Sequence, residues 1–125
     1  MSKRILITTA DERSWGDGEP VLFLGDWCKR LSCKNNWIGF DSLTVPYHWD
    51  DRTQLYKDYL YLQSLNEKVL PVLVDALNQF HGVSRTVKYW RIILGPWLGY
   101  IIQILYDRYQ MIKTANKEYE ISDSI

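Results

Sequence analysis

The sequence is short of most features that mark a specialised protein class. Two cysteines in 125 residues cannot build the disulfide framework of a small secreted domain. Four prolines and seven glycines, scattered along the chain, exclude collagen-like repeats and a long flexible linker. There is no excess charge of either sign, since 15 Lys and Arg face 15 Asp and Glu. The balance holds locally too, with six basic and seven acidic residues in 1–50 and nine and eight in 51–125. Without a basic field there is nothing to displace counterions from a phosphate backbone, so no nucleic-acid partner is expected. Without an acidic block no disordered tail of that kind is expected either. Cys28 and Cys33 form one pair with no histidine near it in sequence, whereas zinc wants four close ligands, usually in two pairs. Neither a metal nor a bound cofactor is expected. The basic first residues lead into no apolar run of the signal-peptide type, which points to the cytoplasm. The longest apolar stretch of interest, Ile92 to Tyr106, is fifteen residues without a charge. A membrane-spanning helix needs about twenty, so a buried helix pair is preferred over a membrane-surface helix.

What the sequence does have is aromatic rings with a polar end. Fifteen of its 18 aromatic residues are Trp or Tyr. Such rings concentrate where a surface is half dry and half wet: the rim of a core, a partner interface, or a platform for a flat ligand. With 46% hydrophobic residues the chain has enough apolar material for one core.

The apolar pattern divides the chain in two. Arg4 to Thr9 is a β-branched run and reads as a buried first strand. Gly16, Asp17, Gly18 and Pro20 then signal turns. Val21 to Leu24 is a second apolar run, a strand or the first turn of a helix, and Ser42 to Val45 is a third candidate strand stopped by Pro46. From Asp50 the period becomes helical, with Asp50 as N-cap and Asp51 in the first turn. Leu55, Tyr59, Leu62, Leu65, Val69, Leu73, Leu77 and Phe80 recur at three- and four-residue spacing. Pro71 should kink or divide this helix, and Gly82 should stop it. Ser84 would cap a helix through Leu94, Gly95-Pro96 would break it, and a last helix would run from Trp97 to about Lys117. The expected fold is a helix-dominated α/β arrangement of short N-terminal strands followed by three or four helices. Residues 1–117 are expected to form a single domain, and 118–125 a frayed polar tail.

Three stretches carry candidate chemistry. In open α/β sheets ligands bind beyond the carboxyl ends of the strands, which singles out TTADERSW after the first strand. Asp11 and Glu12 are candidate bases there, and Arg13 could meet an anionic group; the competing reading is a solvated loop. PYHWDDR, Pro46 to Arg52, sets His48 beside Asp50, Asp51 and Arg52. His48 titrates near neutrality without perturbation, so this is a second acid–base candidate, or else a helix cap with a stacked Trp49. His81, beside Gly82, reads as a partner for the helix C-terminus. Cys28 and Cys33 read as packing residues. Trp90, Arg91, Gly95, Pro96, Trp97, Gly99 and Tyr100 form an aromatic and small-residue cluster, read first as a helix–helix elbow.

TTADERSW, PVLFLGDWC, VPYHWDDR and YWRIILGPWLGYIIQILYDRY together resemble the amino-terminal region of a family of transferases from bacterial O-antigen and other surface-polysaccharide gene clusters. The likeness extends to about Met111, with the four blocks in order. It implies a Rossmann-like (GT-B type) half of a two-sheet enzyme, in which the amino-terminal half presents the acceptor and the carboxyl-terminal half holds a nucleotide-sugar donor. Members of that family are several times longer, so a chain ending at Ile125 is expected to be an incomplete acceptor-side piece, inactive alone. On this reading Asp11, Glu12 or His48 deprotonates the hydroxyl of a glycan or lipid-linked acceptor. Trp15 and Trp49 stack on sugar faces, Arg13 or Arg52 offsets substrate charge, and Asp50 and Asp51 complete the binding set. The alternative is a non-catalytic module whose apolar helices, Tyr89 to Tyr109, dock on a partner chain or a membrane surface; an exposed apolar patch centred on the last helix is expected as well, with self-association as its consequence.

Overall fold

The computed structural model describes residues 3–124. It is helix-dominated, with four short strands: β1 (Arg4–Ile7), β2 (Val21–Phe23), β3 (Ser42–Thr44) and β4 (Ile121–Ser124). The helices are the short α1 (Lys34–Trp37) and the long α2 (Arg52–His81) and α3 (Val87–Glu118). The expected helix-rich α/β class is what the chain adopts.

The strands form one wholly parallel sheet in the order β3-β2-β1-β4. Ile5, Leu6 and Ile7 pair with Val21, Leu22 and Phe23, which pair in turn with Ser42, Leu43 and Thr44. Inner strands of a parallel sheet are covered on both faces and so read as continuous apolar runs. Val21, Leu22 and Phe23 are accordingly all buried, whereas the edge strands β3 and β4 mix polar with apolar residues. The order has a consequence for function. The chain winds outward from β1 through β2 to β3, then returns to lay β4 on the other side of β1. This is the order in which Rossmann-type sheets begin, and the strand where the direction reverses is the topological switch point.

Residues group into two compact units: 1–50 with 109–125, and 51–108. The first holds the sheet, whose core is Ile7, Val21, Leu22, Phe23, Leu24, Trp15, Cys28 and Val45, with Met111 and Ala115 from the end of α3. The second is a helical hairpin. Leu70 and Val74 of α2 pack with Trp90 and Leu98 of α3, flanked by Val69, Leu73, Leu77, Leu94, Ile101 and Ile102. Asn78 pins its turn: its Oδ1 accepts from the Trp90 indole at 2.8 Å and from Arg85 N at 3.0 Å, while its amide donates to Arg85 O. His81 closes the end of α2 and stacks on Trp90. Buried Asp58 accepts from the Tyr106 hydroxyl and the Gln54 amide, both at 2.9 Å.

Several local expectations are corrected. Asp51, not Asp50, caps α2, accepting from Thr53 N and Gln54 N, while Asp50 ends a single 3₁₀ turn, His48–Asp50. Gly82 does end α2, at φ 64°. Pro71 does not divide α2, and Gly95-Pro96 does not break α3. A proline inside a helix costs about 3 kcal/mol, but both packing stripes run straight past it. Val69 and Leu70 precede Pro71 while Leu73 and Val74 follow it, and Leu94 and Leu98 flank Pro96. Each such side chain contributes about 1.5–3 kcal/mol on burial, so packing outweighs the break. The start of α3 lies later than Ser84, where Thr86 Oγ1 accepts from Tyr89 N. Residues 121–124, expected to fray, form β4. Ile121 reaches the sheet core, and the Ser122 and Ser124 hydroxyls donate to Arg4 O and Leu6 O.

Two substitutions should move stability in opposite directions in urea unfolding. Phe23→Ala, at a fully buried site, should cost about 3–5 kcal/mol. Pro71→Ala, at an exposed position in the middle of α2, should restore a helical hydrogen bond and add about 1–3 kcal/mol.

Candidate functional site

In a parallel sheet all strands deliver their carboxyl ends to one edge. Here the loops after β1, β2 and β3 begin there, and three of their side chains lock onto the last carbonyl of β1 and the two that follow it. The Cys28 thiol donates to Ile7 O at 3.5 Å, the Trp27 indole to Thr8 O and the Trp15 indole to Thr9 O, both at 3.4 Å. The ladder also runs on past the strands, with Leu24 N donating to Ile7 O and Val45 N to Phe23 O, both at 2.9 Å. The edge is therefore built from fixed backbone, and its side chains frame two hollows.

The larger hollow, about 480 Å³, is lined by Ala10, Asp11, Glu12, Arg13, Arg30 and Cys33. Its two carboxylates differ in what they do. Asp11 is a brace: Oδ1 accepts from Arg13 N and Nε, and Oδ2 from Arg13 Nε and Nη2, the last at 2.7 Å. These bonds hold its carboxyl below the ordinary value and leave neither oxygen idle. Glu12 is also held low, chiefly by the Cys33 thiol and then by the Asn36 side chain, with Arg30 adding a positive field. Both donors are neutral, so they favour the ionised form of Glu12 without pairing its charge, and make it a weaker base than a free carboxylate. The Arg30 guanidinium is exposed and makes no hydrogen bond or ion pair among the described residues.

The smaller hollow, about 230 Å³, lies at the ends of β2 and β3 and is lined by Gly25, Asp26, Trp27, Val45, Tyr47 and Asp50. Gly25 is required by contact rather than by conformation. Its φ of −171° suits any residue, but a Cβ there would fall 1.8 Å from the Trp27 ring.

The sequence-predicted residues are thus distributed rather than gathered. Asp11, Glu12 and Arg13 share the first hollow. His48 follows β3, two strands and so about 10 Å across the sheet from β1, with its ring against Tyr47 and Trp49. It lines neither hollow, although Tyr47 and Asp50 on either side of it line the second. Trp15 and Trp49 are 2% and 5% exposed, so neither offers a free ring face. Trp15 instead packs edge-on against Phe23 and Phe40. Asp51 is spent as a helix cap, and Arg52 begins α2. Arg30, Cys33, Trp27 and Tyr47 were not singled out from sequence as ligand contacts. The signal for them is position, because each lies within ten residues of the carboxyl end of a strand. Among the described residues no group of His, Cys, Asp and Glu could hold a metal ion, and no helix is long and apolar enough to cross a membrane.

The family model described as LIC12162 family transferase matches residues 4–125. No curated protein and no solved structure matches the chain.

Replacing the thiol beside Glu12 tests this electrostatic picture. Glu12 should titrate below 4.5, its ordinary value, in a carboxyl-detected NMR titration, and Cys33→Ala should move the midpoint up toward it. An unchanged midpoint would contradict the assigned cause.

Proposed function

The chain belongs to the family of LIC12162 transferases, and on that premise we propose that it serves transfer of a sugar or sugar-like group from a nucleotide-activated donor to a glycan or lipid-linked acceptor. The setting is surface-polysaccharide assembly in the cytoplasm, where its two cysteines, neither of them in a disulfide, would stay reduced. The described residues form the acceptor side, in the manner of the amino-terminal half of a GT-B enzyme, and the donor is held by a second sheet unit. The observation that carries this reading is the charged hollow beside the switch-point strand, where open α/β sheets take their ligands.

Within it, Glu12 is the base. Its carboxylate accepts the proton of the acceptor hydroxyl as that oxygen attacks the anomeric carbon of the donor. The bond from that carbon to the phosphate oxygen breaks, and the electron pair leaves with the nucleoside diphosphate. Asp11 serves by fixing Arg13, and Arg30 offers positive charge to an acidic or phosphorylated part of the acceptor. His48 is the alternative base, from the far side of the β2 loop. A group transfer gains its rate from holding both reactants together. The described residues alone should therefore bind acceptor without turning it over. With purified chain, acidic glycan acceptors should shift the NMR signals of Glu12 and Arg30, and nucleotide-sugars added with them should give no product. Turnover that survives repurification would overturn the acceptor-side assignment, and no glycan binding at all would overturn the transfer reading.

One observation favours a second reading, a docking module. On the side of α3 away from its α2 contacts, Tyr89, Ile92, Ile93, Trp97, Tyr100 and Ile104 are 41–72% exposed. They present on the order of 800 Å², the area one partner contributes to a standard interface. No charge interrupts the stretch from Ile92 to Tyr106, and the chain has no net charge to draw it to an anionic membrane, so the occupant is a second copy of this chain. Light scattering should show a dimer whose population rises with concentration and which Trp97→Glu returns to monomer. A strict monomer at high concentration would refute it, and adsorption of the wild type to lipid vesicles would make the partner a membrane surface.

A further inference from the structure

The smaller hollow is not used in the chemistry above, yet its lining is selective. We infer that it is a subsite for one neutral pyranose ring of the acceptor; the inference rests on the transfer reading, to which it adds a place and a chemistry for the sugar. Size is the first argument. At about 30 Å³ per water, a hollow of about 230 Å³ holds the volume of some eight waters. A single monosaccharide fits that space and a nucleoside diphosphate does not.

Lining chemistry is the second argument. A pyranose has apolar C–H faces and a rim of hydroxyl donors. Trp27 and Tyr47 supply aromatic surface, and Asp26 and Asp50 supply carboxylate acceptors. Asp26 already carries Lys29, whose Nζ lies 3.2 Å away. Asp50 is exposed, and its carboxylate makes no hydrogen bond or ion pair among the described residues. Among the described residues no cation lines the hollow, so a phosphate or an acidic sugar would meet the negative charge of Asp50. Such groups belong instead beside Arg13 and Arg30 in the larger hollow.

Preorganisation is the third. The Trp27 ring is fixed at both ends before any ligand arrives, by its indole bond to Thr8 O and by lying against the bare backbone of Gly25. An aromatic platform that is already ordered loses little entropy on binding. The loop after β2 contributes to both hollows, Gly25 to Trp27 on one side and Arg30 and Cys33 on the other. One extended acceptor lying along the sheet edge could thus place a neutral ring in one hollow and its reacting, charged neighbour in the other.

The probes are the methyl pyranosides of glucose, galactose and mannose, followed by ¹H–¹⁵N NMR of the whole chain, with inorganic phosphate and UDP as controls. At least one pyranoside at millimolar concentration should move the Trp27 indole and Gly25 amide signals, and neither control should. Asp50→Asn, an exposed change that leaves the core alone, should weaken binding about tenfold, or 1.4 kcal/mol. Gly25→Ala, which displaces the indole, should abolish it, with amide spectra confirming that the sheet is intact. Pyranosides that leave Trp27 and Gly25 unmoved, or that shift only Glu12 and Arg30, would overturn the subsite. Those results would leave the transfer reading standing, because that reading is tested by acidic glycans at the larger hollow.

Discussion

The carboxyl end of β1 is the anchor on which the candidate site depends. Ile7, Thr8 and Thr9 present three successive carbonyls where the ladder runs out, and Cys28, Trp27 and Trp15 occupy them. Two of these donors come from the loop after β2 and one from the loop after β1. Ile7 O already accepts the ladder bond from Leu24 N, so the Cys28 thiol adds a second donor to it, while the half-buried Thr8 and the exposed Thr9 lie past the ladder and receive theirs from the two indoles. These bonds tie the loops down and orient their side chains at the same time. The indoles do this well because a Trp ring buries a large apolar body while its N–H reaches back to the backbone. The abundance of Trp in this sequence is therefore in part a device for fastening loops to a sheet edge.

That anchor matters because of what lies on either side of it. β1 is an inner strand, paired with β2 through Ile5 to Ile7 and with β4 through Arg4 to Leu6. Arg4 adds a clamp, bonding Val21 O and Asp41 O and pairing with the Asp41 carboxylate at 3.0 Å. With strands on both sides, the loop of Asp11 and Glu12 stands at the reversal of strand order rather than at the rim of the sheet. Charge then divides the edge: paired and free guanidiniums at one hollow, aromatic rings and carboxylates at the other.

How much of this the sequence disclosed depended on whether the deciding forces were local. β1 and β3 were legible because apolar, β-branched runs bounded by turn residues have few other uses, and Gly82 because a left-handed stop favours glycine; β2 stayed open between a strand and a helical turn because four apolar residues show no period. Pro71 and Gly95-Pro96 misled because their local cost was visible while the compensating stripe, shared between two helices, was not. β4 was illegible for the same reason. Ile121 to Ser124 is polar and short, and only its pairing with a strand about 118 residues away makes it one. At the candidate site, the place of Asp11, Glu12 and Arg13 after a strand is what the sequence discloses, and the three line one hollow. Trp15 and Trp49 were chosen as platforms for being aromatic, but which ring faces solvent is decided by packing. Trp27 and Tyr47, equally aromatic, are the rings that line the smaller hollow.

The central claim is that β1 is an inner strand, with β4 on its far side. Two neighbouring amides report on it separately. Arg4 N–H is bonded to Glu120 O at 2.9 Å, toward β4, and Ile5 N–H to Pro20 O at 3.0 Å, toward β2. Amide hydrogen exchange at these two positions should find both slow. If Ile5 is protected while Arg4 exchanges as fast as unstructured chain, β4 does not pair, β1 is an edge strand, and the switch point on which the site is placed does not exist.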